Sequence, residues 1–233
     1  MTEQQSGQIS GFLLVDKPSG WTSHDVVAVA RGRLKVRRIG HAGTLDPAAT
    51  GLLVLLVGAA TKKQSEFQQG GKVYSGVMAL GAETDTWDAD GRITASYPTG
   101  GLDPAAVSAS LTAMQGTVKQ TVPPYSAVKV NGTPLYRLAR RGEVVAPVEK
   151  TVNIYKWRDV SVRLPEVMFT VECGGGTYVR SLAWMLGREL GCGGHLKSLR
   201  RLKVGEFAVE DALPGADLKT MPREAITARL LQL

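Results

Sequence analysis

Hydrophobic positions fall in short blocks along the chain, and their period changes from block to block. Gly11-Phe-Leu-Leu-Val15 is apolar throughout and predicts a buried strand. Asp16-Lys-Pro-Ser-Gly20 reads as the turn after it, because proline presets φ and glycine allows the chain to reverse. Thr22 or Ser23 can cap a helix running to about Lys35, in which Val26, Ala30 and Leu34 share one face. Asp25 lies near the positive end of that helix and Arg31, Arg33 and Lys35 near its negative end, as the helix dipole prefers. Residues 72–80 predict a strand ending at Gly81. Asp103-Pro104 predicts a cap with proline in the first turn, followed by the stripe Val107, Leu111 and Met114 and a stop at Gly116. Further strands are expected around Val152–Trp157 and Val167–Glu172. A glycine turn at 174–176 leads to a helix from Thr177 to Leu190, with Leu182, Leu186 and Leu190 inward and Gly191 closing it. Strands and helices intermix without strict βαβ alternation. The expected class is α+β, a mixed and mostly antiparallel sheet flanked by helices and loops.

The 233 residues contain 43% hydrophobic and 21% charged side chains, as a globular chain with a sizeable core does. Residues 1–10 are expected to be a disordered lead and 11–233 one domain. The longest apolar run, Gly51 to Ala60, is half the length of a membrane span, and the polar N-terminus shows no secretory signal. Only two cysteines, Cys173 and Cys192, occur, which suits a reducing compartment, so a cytoplasmic location is expected.

The charge changes the picture further. Lys and Arg number 28 against 21 Asp and Glu, a formal net charge of +7. The excess is clustered: Arg31, Arg33, Lys35, Arg37 and Arg38; then Arg137, Arg140 and Arg141; then Lys197, Arg200, Arg201 and Lys203. Separated basic clusters in one folded chain predict a polyanion-binding face, with RNA or DNA the usual polyanion. At 6%, aromatic residues are too few for a surface built mainly from base-stacking rings.

No Cys/His set has zinc spacing, and neither a phosphate loop nor a dinucleotide fingerprint occurs, so no metal or cofactor is expected. Cys173-Gly-Gly-Gly-Thr177 reads either as an anion-binding nest or as a tight strand-to-helix turn. The densest segment is Gly40-His-Ala-Gly-Thr-Leu-Asp-Pro-Ala-Ala-Thr-Gly51. There Asp46 before Pro47 reads from spacing first as a helix cap, the alternative being a loop that displays a carboxylate as nucleophile or base; spacing does not decide between them.

That segment, followed by Gly58-Ala-Ala-Thr-Lys62, closely resembles the active-site motif of the TruB-type tRNA pseudouridine-55 synthases. The resemblance runs along nearly the whole chain. It includes the opening Gly11-Phe-Leu-Leu-Val-Asp-Lys-Pro-Ser-Gly-Trp-Thr-Ser23, the central Lys72-Val-Tyr74 with Leu80 to Gly91, and Pro123 to Lys129 with Leu135 to Arg140. Gly176 to Leu182 and Leu199-Arg-Arg201 complete it.

The resemblance implies a pseudouridine-synthase fold and an isomerase that cuts the N–C glycosidic bond of a uridine in the tRNA T-loop, turns the base and rejoins it through carbon. Base flipping is implied too, because the target is buried in the loop. Asp46 matches the catalytic nucleophile, attacking sugar or base, and Arg180 the arginine paired with it. Tyr74 matches the tyrosine that stacks on the base and is a candidate for proton transfer. His41 matches the histidine that displaces and holds the target loop, and Tyr178 and Leu199 match uridine-pocket residues. The implied partner is the tRNA T stem-loop, with no membrane, no obligatory protein partner, and a monomeric chain. Val54 departs from the family's usual proline and Met185 from its usual aspartate. A C-terminal PUA domain, found in many relatives, is expected to be absent. Two rival expectations are a non-catalytic tRNA-folding chaperone on the same scaffold and a guide-dependent synthase.

Overall fold

A computed structural model describes residues 9–232; of the expected disordered lead, residues 1–8 lie outside the described part. The chain divides into two compact units, one formed by the residues up to Lys72 with those from Arg200 onward, the other by Val73–Leu199.

The first unit opens with β1 (Gly11–Lys17), α1 (Ser23–Leu34), β2 (Ile39–His41) and β3 (Thr50–Val57), then a 3-10 turn over Gly58–Lys63 and α2 (Gln64–Gln69). The chain next supplies β4 (Lys72–Leu80), β5 (Ala82–Thr84), β6 (Ile93–Ser96), α3 (Pro104–Ala113) and β7 (Gly116–Thr121). After these come β8 (Lys129–Val130), β9 (Thr133–Pro134), α4 (Leu135–Arg140), β10 (Glu149–Arg163), β11 (Glu166–Cys173) and α5 (Val179–Glu189). Strand β12 (Gly194–Val204) carries the chain back into the first unit, which ends with β13 (Phe207–Ala208), β14 (Leu213–Pro214) and α6 (Arg223–Ala228).

In the first unit the strand order is β14-β1-β3-β12, with β2 on β3 and β13 on β12. β1 and β3 are antiparallel, Leu14 opposite Val54, whereas β12 joins β3 in parallel through Arg200↔Thr50 and Arg201↔Gly51. Both faces of the β1–β3 pair are buried. Leu13, Val15, Leu53 and Leu55 pack with Val26, Ala30 and Leu34 of α1, and Phe12, Leu14, Leu52 and Leu56 form a second cluster with Ala60 and Val204. This is why β3 is an unbroken apolar run rather than an alternating one. The Val54 carbonyl accepts from Ala42 N (2.9 Å). Helix α1 starts with a full capping box: Thr22 accepts from Asp25 N while Asp25 accepts from Thr22 N. The turn expected at 16–20 is shorter, because Asp16 and Lys17 still pair with Leu52 and Gly51 as part of β1.

In the second unit the order is β12-β4-β11-β10-β7, with β10 antiparallel to both β11 and β7. Val167, Phe169, Val171 and Cys173 alternate inward along β11, the period-two pattern of a half-covered sheet. Asp103 caps α3 with Pro104 in its first turn, and Val107 and Leu111 are buried, as the stripe predicts. Helix α5 begins at Val179, two residues later than the sequence suggests, since Tyr178 is still extended (φ −97°, ψ 107°).

Candidate active site

Asp46 sits on a loop between β2 and β3, and no helix follows it. The helix-cap reading therefore fails: Ala49 N closes a tight turn on Asp46 O (3.1 Å), and β3 starts one residue later. What holds this loop is its backbone, carbonyl by carbonyl. Gly43 O and Thr44 O accept from the Arg201 guanidinium (3.1 and 3.4 Å). Leu45 O accepts from Ser23 Oγ (3.1 Å), which in turn accepts from Leu45 N (2.8 Å). Pro47 O accepts from Lys17 Nζ (3.1 Å) and Gly20 N (2.9 Å), and Ala48 O from Ser19 Oγ (3.3 Å). With the Asp46 turn included, six consecutive carbonyls are engaged, so the loop has little freedom to move.

Two of those donors are buried cations. Lys17 is 0% exposed; its ammonium also donates to Trp21 O (2.6 Å) and Pro18 O (2.9 Å). Arg201 is 1% exposed and places its third donor on Leu52 O (2.7 Å). Burial lowers the Lys17 pKa from 10.5 to about 8, against the pull of the Asp46 carboxylate, which favours the charged form; the Arg201 charge adds to the fall. Gly51 makes this packing possible. Its φ is +99°, and a Cβ there would lie 2.2 Å from Arg201 O.

His41 ends β2, its ring edge-on to that of His24 at 6.1 Å. Its pKa is lowered by burial and further by the charges of His24 and Arg201, which keeps the imidazole neutral near pH 7. The first unit thus holds the predicted Asp46 and His41.

The second unit holds Tyr74, Tyr178, Arg180 and Leu199. Tyr74 is buried on β4 and Leu199 half-buried on β12. Arg180 is 6% exposed in the first turn of α5. It donates to Thr86 O (2.9 Å) and Tyr125 O (3.1 Å) and lies 3.5 Å from the Asp88 carboxylate. Tyr178 immediately precedes that helix. Its backbone N–H donates to the buried side chain of Gln120, which donates onward to Gly176 O, so the glycine turn is an anchored strand-to-helix connection. Among the described residues no group of three or more His, Cys, Asp or Glu gathers where it could hold a metal ion.

Residues 31–179 match the model of the TruB family pseudouridylate synthase N-terminal domain, and residues 180–231 match that of the tRNA pseudouridylate synthase B C-terminal domain. The chain belongs to the TruB family of pseudouridine synthases. It is 42% identical over 228 residues to the tRNA pseudouridine synthase B of Opitutus terrae, covering 98% of this chain and 95% of that one. It is 44% identical over 231 residues to the protein of that name from Thermobifida fusca, covering 94% and 79%. Among solved structures it resembles a chain of a Cbf5-Nop10-Gar1 complex, at 28% identity with a TM-score of 0.69. That likeness covers 90% of this chain but only about half (53%) of the other.

Within this TruB-family framework, three features lay beyond the sequence reading. Lys17 and Arg201 were not singled out as loop anchors, and Asp88 was not connected to Arg180. A signal for Lys17 existed, since period-two alternation puts it on the same side of β1 as Leu13 and Val15. The third basic cluster is also corrected. Arg201 is buried, Arg200 is paired bidentately with Asp16 (2.7 and 3.0 Å), and Lys197 is paired with Glu166. The first cluster is partly committed too, with Arg31 donating to Ile39 O and Arg33 to Thr220 O and Met221 O. Lys35, Arg37 and Arg38 remain exposed, Arg38 while donating to Thr61 Oγ1 (2.6 Å).

Proposed function

We propose that this chain is a tRNA pseudouridine synthase that isomerises uridine 55 of the T-loop. The observation that carries the reading is the match along most of the chain, above 40% identity, to relatives named tRNA pseudouridine synthase B. The chemistry of the residues supports it. The reaction breaks the bond between N1 of the base and C1′ of the ribose and forms one from C5 to C1′. The C5 proton leaves and N1 gains one, so no oxidant, reductant or second substrate enters the balance.

In this reading Asp46 is the nucleophile, and the neighbouring Lys17 ammonium favours its carboxylate, the form that attacks. Anchoring every neighbouring carbonyl holds it in an attacking pose without spending substrate-binding energy on loop ordering. Tyr74 offers a rigid face to the flipped base and a hydroxyl for proton transfer. Arg180 supplies the fixed cation, Tyr178 and Leu199 line the uridine pocket, and neutral His41 holds the displaced loop. The enzyme acts as a cytoplasmic monomer on the T stem-loop, with no partner protein. No described helix is long and apolar enough to cross a membrane.

The test is to incubate the purified chain with an unmodified tRNA transcript and map pseudouridine by carbodiimide adduct formation and primer extension. Modification at the T-loop uridine, with nothing else added, supports the reading and excludes dependence on a guide RNA. Unmodified transcript at stoichiometric enzyme overturns it. A purely RNA-folding role is disfavoured by the names of the relatives and predicts that second result together with accelerated tRNA folding.

A further inference from the structure

Trp87 adopts φ +64°, the left-handed region that bulky side chains avoid. Such a conformation persists only where the surroundings over-determine it. Here they do. Trp87 N donates to Thr84 O (3.3 Å), Trp87 O accepts from Leu196 N (3.0 Å), and the indole stacks on Trp184 with centroids 4.4 Å apart and planes 9° from parallel. The stack borders an apolar cavity of about 340 Å³ that Val122, Pro124 and Leu135 help to line.

The residues on either side of Trp87 both meet Arg180. Thr86 offers its carbonyl at 2.9 Å and Asp88 its carboxylate at 3.5 Å. Asp88 is itself oriented, accepting from Thr86 Oγ1 (2.5 Å) and Asp90 N (3.2 Å). Arg180 and Trp184 stand four residues apart on α5 and therefore share a face one turn apart. One turn of the helix holds residues 86 and 88 by charge and hydrogen bonding, and the next holds residue 87 by stacking.

We propose that Trp87 and Trp184 are positioning residues: their stack locks residue 87 in the left-handed conformation and thereby aims the Thr86 carbonyl and the Asp88 carboxylate at Arg180. The inference rests on Arg180 serving the reaction, and it predicts a specific rescue. Glycine adopts positive φ without cost, so it can hold the turn where tryptophan needs its partner.

The experiment compares wild type, Trp184→Leu, which keeps apolar volume but removes the stack, and Trp184→Leu combined with Trp87→Gly. Steady-state kinetics on a T-arm stem-loop give kcat and KM, and thermal melting confirms that each variant folds. For Trp184→Leu, kcat is expected to fall about tenfold or more with KM nearly unchanged, and the added Trp87→Gly is expected to recover most of it. Exchange of the Arg180 guanidinium protons, followed by NMR, provides a readout independent of activity. It should be slow in wild type, fast in Trp184→Leu and slow again in the double variant. An inactive wild type would refute the proposed function while exchange still judges this inference. Unchanged kcat and exchange in Trp184→Leu, or a double variant no better than the single one, would overturn it.

Discussion

Lys17 is the group whose energetics follow most directly from its surroundings. Its ammonium is fully buried at the end of β1, held by three carbonyls, with the Asp46 carboxylate as its favourable charge. The fall in pKa from 10.5 to about 8, at about 1.4 kcal/mol per pH unit, means that keeping this amine charged costs the folded state about 3 kcal/mol. The sign follows from proton counting. Between pH 8 and 10.5 the unfolded chain still holds the proton and the folded chain has released it, so this group adds stability as pH rises across that window. Below pH 8 the whole penalty is present. Replacing Lys17 with Met removes the titration and leaves the Pro18 and Trp21 carbonyls without this donor, at about 1–3 kcal/mol each. Urea denaturation of both proteins at pH 7, 8, 9 and 10.5 provides the assay, with the other titrating groups cancelling in the difference. The stability of wild type minus that of Lys17→Met should rise by about 3 kcal/mol between pH 7 and 10.5. A difference that stays flat would refute the buried, depressed ammonium. Activity should move the opposite way, declining above pH 8 as the charge beside Asp46 is lost.

Three further expectations concern the same loop and the RNA it serves. Gly51→Ala places a methyl 2.2 Å from Arg201 O at φ +99°; it should cost at least about 1–3 kcal/mol in strain and lower the melting temperature by several degrees. Ser23→Ala removes both hydrogen bonds to Leu45 and should cost about 1–3 kcal/mol in urea denaturation, with kcat reduced more than RNA affinity. Affinity for tRNA should fall steeply with salt through Lys35, Arg37 and Arg38, and neutralising Arg37 should reduce the log–log slope by roughly 0.7–0.9, measured by filter binding between 50 and 200 mM salt.

Much of the local structure was legible because it depends on short-range physics. The apolar block at Gly11–Val15, the start of α1 at Thr22 or Ser23 and the Asp103-Pro104 start of α3 are each set by neighbours within four residues. What spacing could not supply was long-range. The parallel pairing of β12 with β3 joins residues about 150 apart, and it is this pairing that buries Arg201 against the Asp46 loop. Sequence reasoning assigns lysines and arginines to the surface because burying a charge is costly unless it is satisfied. Lys17, Arg180 and Arg201 are satisfied mainly by backbone carbonyls, and a carbonyl has no letter of its own in a sequence. The same blindness made Asp46-Pro47 look like a helix cap, since an Asp that closes a turn before a strand carries the same local signal.

Tritium release from C5-labelled uridine in an unmodified T-arm stem-loop tests the central claim most directly, because the C5 proton leaves only when the carbon–carbon bond to the ribose replaces it. Tritium should be released with turnover by the wild-type chain and not at all by Asp46→Ala at equal stem-loop occupancy. Equal release by the two proteins would contradict the nucleophile assignment, and no release by either would contradict the activity itself.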